Sequence, residues 1–127
     1  VALIEALPVP LATALGADVA VWPPRGQWDM LVNATPVGTW PDDAAAPVAF
    51  EGLAAAVVYD LVYNPEETAL LGAARAGGSR VIGGLEMLVG QAVRQSAWWT
   101  AQTPSAAVMA AAARAWIATR NVRESGE

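Results

Sequence analysis

Eight residues, Ala54 to Leu61 (AAAVVYDL), constrain the fold of this chain more than any other stretch. The run is apolar on both faces, which predicts a central parallel strand covered on both sides. It opens into Val62-Tyr63-Asn64-Pro65, a polar turn closed by a residue that cannot continue a sheet ladder. About one strand later, Gly84-Leu85-Glu86-Met87 starts a long amphipathic pattern. A strand end that faces a helix start is where open α/β sheets bind ligands.

The remaining pattern alternates in the same sense. Val1 to Glu5 and Val19 to Trp22 read as short strands, and Pro8 to Leu15 between them as a short helix ending at Gly16. Met30 to Asn33 is a third strand, followed by Thr35-Pro36, and Pro41 to Pro47 is a surface loop. Thr68 to Ala76 is a helix that stops at Gly77-Gly78, and Arg80 to Ile82 is a brief last strand. Leu85 to Trp99 and Ser105 to about Asn121 are two terminal helices, with Ser105 as N-cap after Pro104. Such alternation implies a mostly parallel sheet with flanking helices and two C-terminal helices.

Composition removes whole classes of chemistry. The 127 residues contain neither Cys nor His, so disulfides, Cys/His metal sites, thiol nucleophiles and Ser-His triads are all excluded. All seven basic residues are Arg, which stays protonated and is a poor general base at neutral pH. A net charge of −5 argues against nonspecific attraction to nucleic acid or anionic lipid. The acidic pairs Asp42-Asp43 and Glu66-Glu67 read as solvated or helix-terminal charge, and no metal site is expected. The apolar runs are too short to span a bilayer. The chain starts in mid-pattern at Val1, with no visible leader, and reads as a piece of a longer protein.

Several segments carry chemistry beyond packing. Asn33-Ala34-Thr35-Pro36 closes a strand with two side chains able to hydrogen-bond loop backbone. Tyr63 follows the central strand and offers a phenol to a hydroxylated ligand. Met87 and Gln91 lie four apart on one helix face, and a carboxamide set among Val89, Ala92 and Val93 both donates and accepts, which suits vicinal hydroxyls. Trp98-Trp99 reads as a packing anchor where the last two helices turn.

Taken together, Asn33-Ala34-Thr35-Pro36-Val37-Gly38, the Asp60-x-x-Tyr63-x-Pro65 segment and Gly84-Leu85-x-Met87-Leu88-x-x-Gln91-Ala92 resemble the C-terminal, nucleotide-binding half of shikimate dehydrogenase. The resemblance implies an α/β, truncated Rossmann-type domain over residues 1–127. It implies an oxidoreductase of aromatic amino-acid biosynthesis that reduces 3-dehydroshikimate to shikimate in the cytoplasm. By resemblance, Tyr63 and Gln91 would contact substrate, and Asn33, Thr35, Leu61, Gly84 and Met87 would contact the cofactor. No catalytic residue is expected in this segment, and the 127 residues alone are expected to be inactive.

The departures are as telling. No Gly-x-Gly-x-x-Gly turn appears, and the Lys-bearing substrate domain of the family has no counterpart here. The family's tail of aromatic residue, Trp and Gly has Ala101 or Gln102 in place of its Gly. Where the family carries an Arg for the 2′-phosphate of NADP, this chain has Glu5-Ala6-Leu7-Pro8. A carboxylate at that strand end suits the free ribose diol of NAD. NADP is therefore implied by the resemblance, and NAD by Glu5. The other readings are a quinate or related hydroxy-acid dehydrogenase, and a non-catalytic half-domain that binds a partner. The expected partner is a small-molecule substrate, without nucleic acid or membrane, and a homodimer remains open.

Overall fold

The structure is a computed structural model and describes residues 2–3, 13–19, 27–49 and 54–124. Two parallel sheets form within it. The smaller pairs β1 (Ala2–Leu3) with β2 (Asp18–Val19), in register Ala2 to Asp18 and Leu3 to Val19. The larger has the order β3-β4-β5, from β3 (Gln27–Asn33), β4 (Ala54–Asp60) and β5 (Arg80–Ile82). The helix predicted over Pro8 to Leu15 lies largely outside the described residues, as do Glu5 and the stretch from Ala20 to Trp22.

β4 is the central strand, as its apolar run predicts, and pairs in parallel with both neighbours. Strand β3 begins three residues before the expected Met30. Gln27 and Trp28 pair with Ala54 and Ala55. A polar residue at an exposed strand start looks like loop in a sequence, but the ladder along β4 holds it.

Helix α1 (Ala69–Ala76) covers one side of this sheet. Its Leu70, Leu71 and Ala74 form an inward stripe that packs with Val58 and Ala55 into the core. Burying a side chain of Leu size contributes about 2–3 kcal/mol. The other side departs from the expectation of two covered faces. Met30 and Val32, which alternate with the half-buried Leu31 along β3, are 50% and 38% exposed.

Two longer helices complete the chain, α2 (Gly84–Thr100) and α3 (Ala106–Glu124). Leu85 and Val89, one turn apart, are the inward residues of α2. Ser105 accepts the N–H of Val108 and caps α3, as predicted. Trp98 and Trp99 overturn their reading as packing anchors, because they are 84% and 71% exposed. The end of α2 runs past the neighbouring elements, so the indoles meet no core among the described residues.

The chain leaves α2 through Ala101, which adopts a left-handed φ of 56°. This is the position where the expected Gly is missing. A Cβ in that conformation costs roughly 1 kcal/mol. Ala101→Gly is expected to raise unfolding stability by about 1 kcal/mol, read as a shift in the urea midpoint with unchanged slope.

Candidate functional site at the strand tips

The site is organised by a buried carboxylate. Asp60 ends β4 fully buried, and its two oxygens take three donors. Oδ1 accepts from Asn33 Nδ2 at 2.9 Å and from the backbone N–H of Val62 at 3.0 Å, while Oδ2 accepts from Thr68 Oγ1 at 2.7 Å. A charge removed from water requires such partners. The Thr68 hydroxyl also accepts the N–H of Leu71, so one side chain caps α1 and ties it to the strand tip.

Asn33 continues the network on the neighbouring strand. Its Oδ1 accepts from the N–H of Thr35 at 3.0 Å and from Thr35 Oγ1 at 2.7 Å, and its Nδ2 also donates to the carbonyl of Val37. These bonds fold the Asn-Ala-Thr-Pro segment into a tight turn. Gly38 closes it with a φ of +90°, a conformation open to Gly and strained for other residues. The Asn33 amide is thus engaged on every side and buried behind the loop, whereas Thr35 stands at its front.

Thr35, Leu61 and Tyr63 line one crevice of about 290 Å³ at the carboxyl edge of β3 and β4. Gly84 reaches this region by its backbone. A Cβ there would collide with the carbonyl oxygen of Leu61, so glycine lets the start of α2 approach the tip of β4. The sequence reading of a buried carboxamide at Gln91 does not hold. Leu85 and Val89 take the inward face of α2, and a residue two positions on is rotated by about 200° to the outside. Gln91 is exposed and lines a separate groove with Arg94 and Trp98, not the crevice of Tyr63. Met87 is half-buried on α2 and does not line the crevice. Glu5 lies outside the described residues.

Helix α3 supplies the opposite wall with Trp116 and Arg120, one turn apart. It is fastened by two contacts to the turn after β4. Arg114 grips Glu66 through Nε at 2.8 Å and Nη2 at 2.6 Å. Asn121 and Asn64 exchange reciprocal amide hydrogen bonds at 2.9 and 3.0 Å. Arg114 and Asn121 are two turns apart and so share a face. Glu67 pairs with Arg75, so both acidic residues have Arg partners. Among the described residues no group of acidic side chains could hold a metal, and no helix is long and apolar enough to cross a membrane.

The sequence reading counted Asp60 in a motif without giving it a role, and it passed over Trp40, Trp116 and Arg120. A carboxylate inside an apolar run signals a buried network, and a Trp and an Arg at i and i+4 signal a shared helix face. Their convergence on Tyr63 needs the docking of α3.

A parallel open sheet with a polar crevice at its carboxyl edge, met there by the start of a helix, is the binding arrangement of a Rossmann-type α/β domain. Residues 84–114 match the model of the shikimate 5′-dehydrogenase C-terminal domain. Shikimate dehydrogenase (NADP(+)) of Shouchella clausii is 42% identical over 81 residues, which are 63% of this chain and 30% of that protein. A solved shikimate 5-dehydrogenase of Thermus thermophilus, in complex with NADP(H) and shikimate, superposes with a TM-score of 0.71 at 32% identity, over 84% of this chain and 41% of the other. Quinate dehydrogenase of Corynebacterium glutamicum, in complex with NAD, gives 0.58 at 36% identity, over 65% of this chain and 29% of the other. The chain is similar in sequence and in fold to the C-terminal part of shikimate dehydrogenases, and it spans well under half the length of each of these relatives.

Asp60→Ala leaves three donors facing an apolar gap and is expected to lower stability by roughly 3 kcal/mol. Asp60→Asn should cost clearly less, because an amide nitrogen can donate to Thr68 Oγ1 while its oxygen keeps Asn33 and Val62. Denaturant titration of the two variants checks the order. A second expectation concerns acid. The hydrogen bonds of Arg114 hold the Glu66 carboxyl below its ordinary value of 4.5, against an opposing push from desolvation, and the Arg114 charge adds to the lowering. A depressed value in the folded state stabilises above the unfolded value and fades as pH falls through the folded one. The stability difference between the native chain and Glu66→Gln should therefore be constant above pH about 5 and shrink below 4.5. Thermal midpoints of both across that range read it.

Proposed function

We propose that this chain is the nucleotide-binding portion of an oxidoreductase that interconverts 3-dehydroshikimate and shikimate with a nicotinamide cofactor. The observation that carries the reading is the convergence of Thr35, Leu61 and Tyr63 on one crevice at the carboxyl edge of the sheet. These residues sit in the two strand-end segments that resemble the family. Residues 84–114, which include Gly84, Met87 and Gln91, match its domain model. In this reading the chain follows the first strand of a doubly wound sheet. The order β2-β1 and β3-β4-β5 is what remains of 3-2-1-4-5-6 when strand 1 comes from elsewhere in the protein.

The donor set fits the nicotinamide end of the cofactor. The crevice is large enough for a ring-sized group, and Thr35 brings a hydroxyl beside the apolar Leu61. A bound nicotinamide supplies a hydride acceptor or donor for the ring carbon of the substrate. The chain's own residues hold geometry. Asp60 and Asn33 fix the two loops, Leu61 would lie against the nicotinamide, and Tyr63 would offer its hydroxyl to the substrate. Gln91 would reach the same substrate from the exposed face of α2 once the remainder of the protein closes over it. In this reading the proton is moved by the Lys of the family's other domain, since this chain has no Lys. That step belongs to another part of the enzyme, and the 127 residues alone are expected to be inert. Glu5 weakens the preference for NADP in favour of NAD in this reading, and the match to an NAD-bound quinate dehydrogenase supports weighing quinate as a second substrate.

The test is turnover of shikimate and of quinate by the full-length protein with each cofactor, followed by nicotinamide absorbance. Tyr63→Phe is expected to raise the KM for shikimate roughly five- to tenfold with kcat little changed, the mark of a lost binding contact worth about 1 kcal/mol. Failure to oxidise shikimate with either cofactor refutes the assignment, and a clear NADP preference refutes the role of Glu5.

A further inference from the structure

Three segments far apart in the chain meet at one residue of the crevice, Asn64. Its backbone carbonyl accepts the N–H of Trp40 at 2.9 Å, which draws in the loop after β3. Its side chain exchanges amide hydrogen bonds with Asn121 of α3 at 2.9 and 3.0 Å. Its neighbour in the chain is Tyr63. Trp40, Tyr63 and Trp116 of α3 all line the crevice, so Asn64 joins the three walls that these residues belong to.

The two ties between α3 and the turn after β4 differ in kind. The pair of Arg114 with Glu66 is exposed at both ends, and such a pair contributes little and is screened by salt. The pair of Asn121 with Asn64 is neutral and half-buried on both sides. Each carboxamide gives the other one donor and one acceptor, which fixes distance and orientation together. Loss of either member leaves the remaining amide to find both partners again.

We infer that Asn64 and Asn121 are positioning residues whose amide pair holds Trp116 of α3 at a set spacing from Tyr63 and Trp40, and that this spacing sets how tightly the crevice holds its ligand. The inference rests on the reading of the crevice as a substrate and cofactor site, with the hydroxylated ring against Tyr63. Asn64 lines the crevice, but its carboxamide is committed to α3, so it frames the ligand rather than recognising it. Asn121 does not line the crevice and acts through what it holds. The reacting groups stay in place without the pair, whereas the grip on the ligand loosens.

The experiment compares the full-length protein with its Asn64→Ala, Asn121→Ala and doubly substituted variants, reading KM and kcat for shikimate at saturating cofactor. Asn64→Ala keeps the carbonyl that holds Trp40, and Asn121→Ala leaves the turn after β4 unaltered, so the amide pair is what both remove. Each single variant is expected to raise KM roughly three- to tenfold with kcat within about twofold. The double variant should lie within about twofold of either single one, since one tie is lost only once. A merely destabilised protein loses kcat through its active fraction and keeps its KM. Unchanged KM in both single variants, or effects that multiply in the double variant, overturns the inference, and turnover by the native protein then leaves the functional assignment standing. If Asn121→Ala loses the helical circular dichroism of α3, Asn64→Ala, which lies outside that helix, decides. If the native protein turns over no shikimate with either cofactor, the assignment falls and hydrogen exchange reads the inference without a ligand. Faster exchange in Asn121→Ala at the segments carrying Trp40 and Val62 as well as in α3 then supports it, and a change confined to α3 overturns it.

Discussion

Everything at the carboxyl edge of the sheet depends on the Asp60 carboxylate. Its oxygens draw the tip of β3, the turn after β4 and the cap of α1 onto one point. Because the group is fully buried, each of these donors is worth more than it would be in water, and each would be costly to leave unmet. The crevice is a consequence of this knot. Thr35 is held forward because Asn33 is held back, and Leu61 and Tyr63 emerge from a turn whose first N–H is already committed to Asp60. A polar network in a core contributes a unique arrangement when fully satisfied, and among the described residues this one leaves Asp60, Asn33 and Thr68 all engaged.

The second organising element is α3. Its half-buried residues, Met109, Ala110, Ala113, Ile117 and Asn121, form a mostly apolar stripe, and an ion pair and an amide pair fasten it to the turn after β4. Exposed ion pairs contribute about 0–1 kcal/mol each, so the docking is modest in energy and specific in register. That register decides which residues of the helix meet the crevice.

Much of this was legible in the residues. The apolar run of β4 announced a central parallel strand, Thr68 and Gly77-Gly78 bounded α1, and Ser105 marked the start of α3. The motif glycines also carried their meaning. Gly38 occupies a left-handed turn and Gly84 permits a backbone approach, reasons that a sequence can suggest and geometry makes concrete. Gln91 and the Trp98-Trp99 pair were less legible. Local neighbours suggested burial for the amide, but helical phase turned it outward because Val89 had the stronger claim on the core. The two indoles looked like anchors by size alone, and nothing in one dimension shows whether a helix end overhangs the body it leaves.

The amino-acid sequence determined the period of each element, their alternation, the absence of thiol and imidazole chemistry, and the motif residues that resemble those of shikimate dehydrogenases. Those properties are local, or are sums over composition, and need no knowledge of who meets whom. The tertiary structure alone decided that Asn33 is buried in the network behind the loop, that Gln91 and Tyr63 line different depressions, and that Arg120 shares a crevice with Thr35. The physical reason is that these outcomes turn on hydrogen bonds between groups 27 to 57 positions apart, whose satisfaction depends on how strands and helices pack.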